Sequence, residues 1–187
     1  MAKALNILVV LLEIPGFYRS ISDRKWTILA YYTQLSNICA LVSSLMFAVL
    51  GENSLTCMMR YLSSCMLAMT FVVTVFVLIP MGAGIKRMMF SGNGLFHHLL
   101  CPVLSVTSYL LFEKHVKDMG MVLMPVLATL FYGVFMMILN GLGKFEGPYP
   151  FFRVRHQTGR ATLLWTAALA AVIAALSLGI LAASALL

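Results

Sequence analysis

A threonine, a pair of histidines and a tyrosine interrupt an otherwise apolar chain, and together they supply the parts of a nucleophilic site. Thr33 stands in A-Y-Y-T-Q-L-S-N, His97 and His98 in F-H-H-L-L-C-P, and Tyr149 in the loop G-P-Y-P-F-F-R. A threonine hydroxyl is a weak nucleophile and needs a base within about 2.6–3.2 Å. An imidazole near the start of a helix feels the positive dipole end, stays neutral, and so can accept that proton. Pro102 has no N–H, which deprives the His98 carbonyl of its helical partner and loosens the chain beside both histidines. Asn37 lies one turn after Thr33 on the same helix face. Its amide can donate to a developing oxyanion or simply bond a neighbouring helix, and Tyr149 is a second donor of the first kind. Lys86, Arg87, Arg153 and Arg155 are suited to hold a fatty-acid carboxylate at a membrane interface.

Each of these residues also has a structural use. Threonine inside an apolar helix usually bonds its own backbone. Tyr149 and Phe151, like Trp26, Tyr31 and Tyr32, fit the aromatic belt of a membrane interface. His98 is rotated about 100° from His97 and suits packing or hydrogen bonding. Glu13, an ionisable group in an apolar run, is a functional candidate by its cost alone; pairing with Arg60 or taking a proton would make it inert. Cys39, Cys57, Cys65 and Cys101 show no C-x-x-C spacing and mostly fall in apolar stretches, as packing residues do. His97, His98, His115 and His156 share no helix face and there is no H-E-x-x-H, so neither a metal nor another cofactor is expected.

The elements that must position these groups follow from composition. Of 187 residues, 61% are apolar or aromatic and 10% charged, against roughly 45–50% and about 25% in a soluble domain. So few charges cannot cover a soluble globule, and disorder fails for the opposite reason. The net charge of +7 does not indicate nucleic acid, because the basic residues sit in short breaks between apolar runs rather than on one wet face. An all-α polytopic membrane protein remains, with six transmembrane helices in one bundle and one domain over 1–187. The runs are 4–18, 28–50, 61–79 (stopping at Pro80), 94–112, 121–139 and 161–187. The first contains Glu13 and Pro15 and has no A-x-A site before Arg19, so it reads as a retained helix rather than a signal peptide.

Basic residues divide unevenly between the two sides. Lys3, Arg60, Lys114 and Lys117 fall at the N-terminus and after runs two and four. Arg19, Arg24, Lys25, Lys86, Arg87, Lys144, Arg153, Arg155 and Arg160 fall after runs one, three and five. The positive-inside rule puts the second group in the cytoplasm and both termini outside. Because each span reverses direction, the N-terminal ends of spans two, four and six share one face. Thr33, about five residues into its span and so ~8 Å deep, therefore shares one side and a similar depth with His97, His98, Tyr149 and the basic residues.

Thr33 in Y-Y-T-Q-L-S-N, a His five residues before Pro102, and Tyr149-Pro150-Phe151 before the last span resemble the androgen-induced-gene family of integral membrane proteins. The resemblance covers the six-span layout, and its motifs are short. Members of that family are threonine hydrolases of fatty-acid esters of hydroxy fatty acids. The resemblance implies Thr33 as nucleophile and His97, the residue five before Pro102, as base. Ser36 stands where the family can carry an acidic residue, and the polar loops are shorter, as in a compact prokaryotic relative of the cytoplasmic membrane. The expected function is hydrolysis of an acyl-lipid ester within the bilayer. Two alternatives are an acyltransferase using the same Thr/His site, and a non-enzymatic carrier or partner subunit in which His97 and Glu13 line a polar path.

Overall fold

Without water, a membrane-spanning segment must satisfy its backbone N–H and C=O groups internally, which favours helices. The computed structural model describes residues 1–114, 118–147 and 149–186, with residue 24 described by its backbone only. It is 87% helical, with no strand among the described residues. His115 and Lys117 lie outside them. The chain runs through α1 (Ala2–Arg24), a 3-10 turn (Lys25–Ala30), α2 (Tyr32–Leu50) and α3 (Ser54–Val73), which a π-helical stretch (Thr74–Ala83) prolongs. Short α4 (Ile85–Met89) and a π-helical segment (Leu95–Leu100) lead into α5 (Cys101–Phe112). A 3-10 turn (Met119–Val122) opens α6 (Leu123–Gly141), and turns at Pro150–Phe152 and Val154–His156 precede α7 (Gly159–Leu186). Among the described residues, six helices are long and apolar enough to cross a membrane: Ala2–Asp23, Tyr32–Leu50, Ser54–Ala83, Leu95–Phe112, Met119–Gly141 and Gly159–Leu186. The protein is an all-α integral membrane protein, with the expected number and order of spans.

Two boundaries differ from the expectation. Pro80 does not stop the third span, which continues to Ala83. Around Pro80 the helix widens into a π register, in which the missing N–H is absorbed, and it kinks at Gly82, where φ is 96°. The same span also begins earlier, at Ser54. The Asn53 side chain accepts from the backbone of Leu55 and Thr56, while the Thr56 hydroxyl accepts from the Asn53 N–H. That reciprocal cap fixes the helix start.

The earlier start moves Arg60 from a loop into the bundle, which corrects its reading as a topology charge. Arg60 is fully buried and forms an ion pair with Glu113, Nε to Oε2 at 3.0 Å. Its other N–H groups donate to Ser44 Oγ, Ser105 Oγ, the Ser105 carbonyl and Glu113 Oε1 at 3.0–3.1 Å. Glu113 also accepts from Asn6 and Ser108. One network therefore ties α1, α2, α3 and α5 together, and Glu13 has no part in it.

Lipid is as apolar as leucine, so helices in a bilayer associate through packing and polar contacts. The α2–α3 pair shows this in two hydroxyl bonds of 2.8 Å, Ser36 to Thr70 and Ser43 to Ser63. The Tyr61 hydroxyl donates to the Ser177 carbonyl at 2.9 Å and anchors α7. Tyr32, Tyr132, Tyr149, Phe151 and Phe152 form an aromatic cluster where α2, α6 and the loop before α7 meet.

Candidate functional site

The first turn of α2 starts without a side-chain cap of its own, leaving backbone N–H groups in need of acceptors. Two tyrosines from elsewhere in the chain supply them. The Tyr32 N–H donates to the Tyr132 hydroxyl at 3.1 Å, and the Thr33 N–H donates to the Tyr149 hydroxyl at 3.3 Å. The Tyr132 hydroxyl in turn donates to the Ala30 carbonyl at 2.8 Å. The Tyr149 hydroxyl also lies 3.3 Å from Thr33 Oγ1, where either oxygen can donate. Stacking of Tyr149 on Phe151, with rings 5.2 Å apart and 4° from parallel, holds the phenol in place.

Thr33 and Tyr149 lie between two cavities and line both. One is a narrow apolar cleft of about 50 Å³ between α2, α3, α6 and α7, walled by Met69, Val73, Leu78, Leu130, Met137 and Leu169. The other is a vestibule of about 460 Å³, lined also by Gln34, Arg87, Asn93 and His98. The cleft admits only a few small groups and the vestibule many. A hydroxyl here faces apolar matter on one side and polar space on the other.

His97 lies behind this junction. It is fully buried and lines neither cavity. A Gln34 amide N–H donates to its Nδ1 at 3.1 Å, and its Nε2 sits 3.2 Å from Glu13 Oε2, an ion-pair distance without hydrogen-bond alignment. No hydrogen bond joins Thr33 to His97; Gln34, the next residue along α2, stands between the imidazole and the vestibule. Gly16 permits the placement, since a Cβ there would come within 2.3 Å of the ring nitrogen. Phe17 covers the ring, with centroids 4.8 Å apart.

The remaining expected residues divide. The Asn37 amide donates to the Thr33 carbonyl at 2.6 Å and to the His97 carbonyl at 3.2 Å. It ties α2 to the histidine segment and lines neither cavity, so its position is that of an interhelical bond rather than an oxyanion donor. Of the four basic residues, Arg87 lines the vestibule, whereas Lys86, exposed beside it on α4, does not. Arg155 places its guanidinium against Gly143, and its backbone N–H donates to Asn140. Arg153 is half-buried and also lines neither cavity.

Two features escaped the sequence reading: Gln34, and the close contact of Glu13 with His97, two residues joined there only as the lining of a polar path. Gln34 carried a signal, being an amide inside an apolar span where an unpaired polar group is costly. Its Oε1 is buried and unpartnered among the described residues, as are Asn37 Oδ1 and both Glu13 oxygens. These unsatisfied atoms gather around His97. His98 directs Nδ1 at the Met88 carbonyl, 2.8 Å away. A carbonyl requires the proton on Nδ1, which makes Nε2 the basic nitrogen of the neutral ring. No group of three His, Cys, Asp or Glu side chains among the described residues is placed to hold a metal ion.

Compared with known proteins, the chain matches no family model, no curated protein and no solved structure.

Proposed function

We propose that this protein is a membrane-embedded hydrolase of acyl-lipid esters, with Thr33 as its nucleophile. The observation that carries the reading is the placement of Thr33 and Tyr149 at the junction of the apolar cleft and the polar vestibule. An ester whose carbonyl reaches Thr33 Oγ1 would have the start of its acyl chain in the cleft and the rest in lipid. Its alcohol portion would lie in the vestibule, where Arg87 suits an anionic group and water has access.

Attack forms the bond from Thr33 Oγ1 to the acyl carbon and breaks the bond from that carbon to the alcohol oxygen. Water then releases the acid and restores the threonine. The proton of Thr33 passes to His97 Nδ1 once the Gln34 side chain, which borders the vestibule, rotates off that nitrogen. Tyr149 is the donor nearest the developing oxyanion. The short-motif resemblance noted above supports the same pairing of Thr33 with His97. His98 is a second base candidate, because it lines the vestibule with Thr33 and its basic nitrogen is set by Met88.

Purified protein in lipid nanodiscs, incubated with fatty-acid esters of hydroxy fatty acids, should release free acid while total ester falls. Constant total ester with new acyl acceptors would make it an acyltransferase, and binding without turnover would make it a carrier. Loss of turnover in His98→Ala but not in His97→Ala would reassign the base. We propose a prokaryotic cytoplasmic membrane with the vestibule on its cytoplasmic face, an orientation that the excess of basic residues on that side supports. With Arg60 buried, the opposite side keeps only Lys3, Lys114 and Lys117. Labelling of a cysteine placed at residue 87 only from the outside of cells would reverse that orientation.

A further inference from the structure

We infer that Glu13 is a positioning residue that sets which nitrogen of His97 is basic, a role that rests on the hydrolase reading above. One face of α1 forms a receptacle for the imidazole. Glu13, Gly16 and Phe17 are spaced i, i+3 and i+4, which brings them onto a common side. The carboxylate meets Nε2 at 3.2 Å, the glycine backbone leaves room for the ring edge, and the phenyl ring covers its face. Glu13 and His97 are both fully buried. Arg60, the cation that could otherwise have neutralised Glu13, is committed to Glu113. From α5, the buried Cys101 thiol is the other titratable group that faces the Glu13 carboxyl.

An ionised carboxylate buried in this way needs a hydrogen-bond donor or a countercharge. With Glu13 ionised, the donor within reach is Nε2, 3.2 Å away, and the inferred form of the ring therefore carries its proton there. The lone pair of neutral His97 is then on Nδ1, the side of Gln34 and the vestibule. In that tautomer the Gln34 amide, 3.1 Å from Nδ1, can donate to the unprotonated nitrogen. When Nδ1 takes the proton of Thr33 Oγ1, the imidazolium formed has its countercharge already beside it. The proton then leaves Nδ1 for the departing alcohol oxygen, and the ring returns to neutral. No redox change and no further reactant beyond the ester and water is involved.

The test compares wild type with Glu13→Gln, Glu13→Asp and Glu13→Ala in nanodiscs, reading the rate of fluorophosphonate labelling at Thr33 across pH. Glu13→Gln keeps the shape but not the charge. It should slow labelling by roughly 100-fold, within the range general-base contributions span, and should move the inflection of the pH profile. Glu13→Asp should recover part of the rate. A wild-type rate and profile in Glu13→Gln would overturn the role of Glu13 alone, whereas no labelling of wild type would remove the hydrolase reading with it. Should the variants fail to fold, the ring nitrogens of His97 can be read in ¹⁵N-histidine-labelled wild type, with the signal assigned by its loss in His97→Asn. A proton on Nε2 is expected, and a neutral ring protonated on Nδ1 would overturn the inference.

Discussion

The hydroxyl of Tyr149 lies 3.3 Å from the backbone nitrogen of Thr33 and 3.3 Å from its Oγ1, so one phenol both caps α2 and touches the proposed nucleophile. The two roles separate in Tyr149→Phe. Loss of the cap should cost about 1 kcal/mol, seen as a modest fall in the thermal midpoint. Loss of an oxyanion donor should slow ester turnover by about 100-fold. A lower midpoint with unchanged turnover would leave Tyr149 as a cap alone.

Gly16 offers a steric handle on His97 from a different helix. Ala is ordinarily preferred to Gly inside a helix by about 1 kcal/mol. Here the added methyl would lie 2.3 Å from the imidazole nitrogen, so the ring must move. Gly16→Ala should therefore reduce labelling of Thr33 at least about 10-fold, the equivalent of ~1.4 kcal/mol in the barrier, while the protein remains folded and monodisperse. Unimpaired labelling would mean that the position of His97 is immaterial to the chemistry.

The Arg60–Glu113 pair makes a prediction about stability alone. Both side chains are essentially inaccessible, at 0% and 1% exposure. Removing one partner strands the other charge, at a cost of about 3–5 kcal/mol. Arg60→Met and Glu113→Gln should each unfold far below wild type in detergent. The double replacement should be less damaging than the two costs added together, and additive losses in a double-mutant cycle would show the charges to be uncoupled.

The spans and their parity were legible because hydropathy over about 20 residues is a local property, and alternation of direction follows from counting. Thr33, Tyr149, His98 and Arg87 do border one vestibule, as that parity requires. Arg60 was misread for the converse reason: a basic residue next to a loop resembles a topology signal until Glu113, 53 positions away, is seen beside it. Pro80 was taken as a stop because proline cannot join an α ladder, yet a π register accommodates it. The partners of Glu13 and His97 were hidden for a related reason. Which face of α1 meets the histidine segment depends on a glycine notch that spacing alone does not reveal.

The central claim is that Thr33 carries the acyl group, and covalent capture tests it most directly. Purified protein in nanodiscs is treated with a fluorophosphonate, digested, and the modified peptide identified by mass spectrometry. The account predicts an adduct on Thr33, absent in Thr33→Ala and formed about 100-fold more slowly or not at all in His97→Ala. An adduct on another residue, or equal labelling of Thr33→Ala, would contradict it.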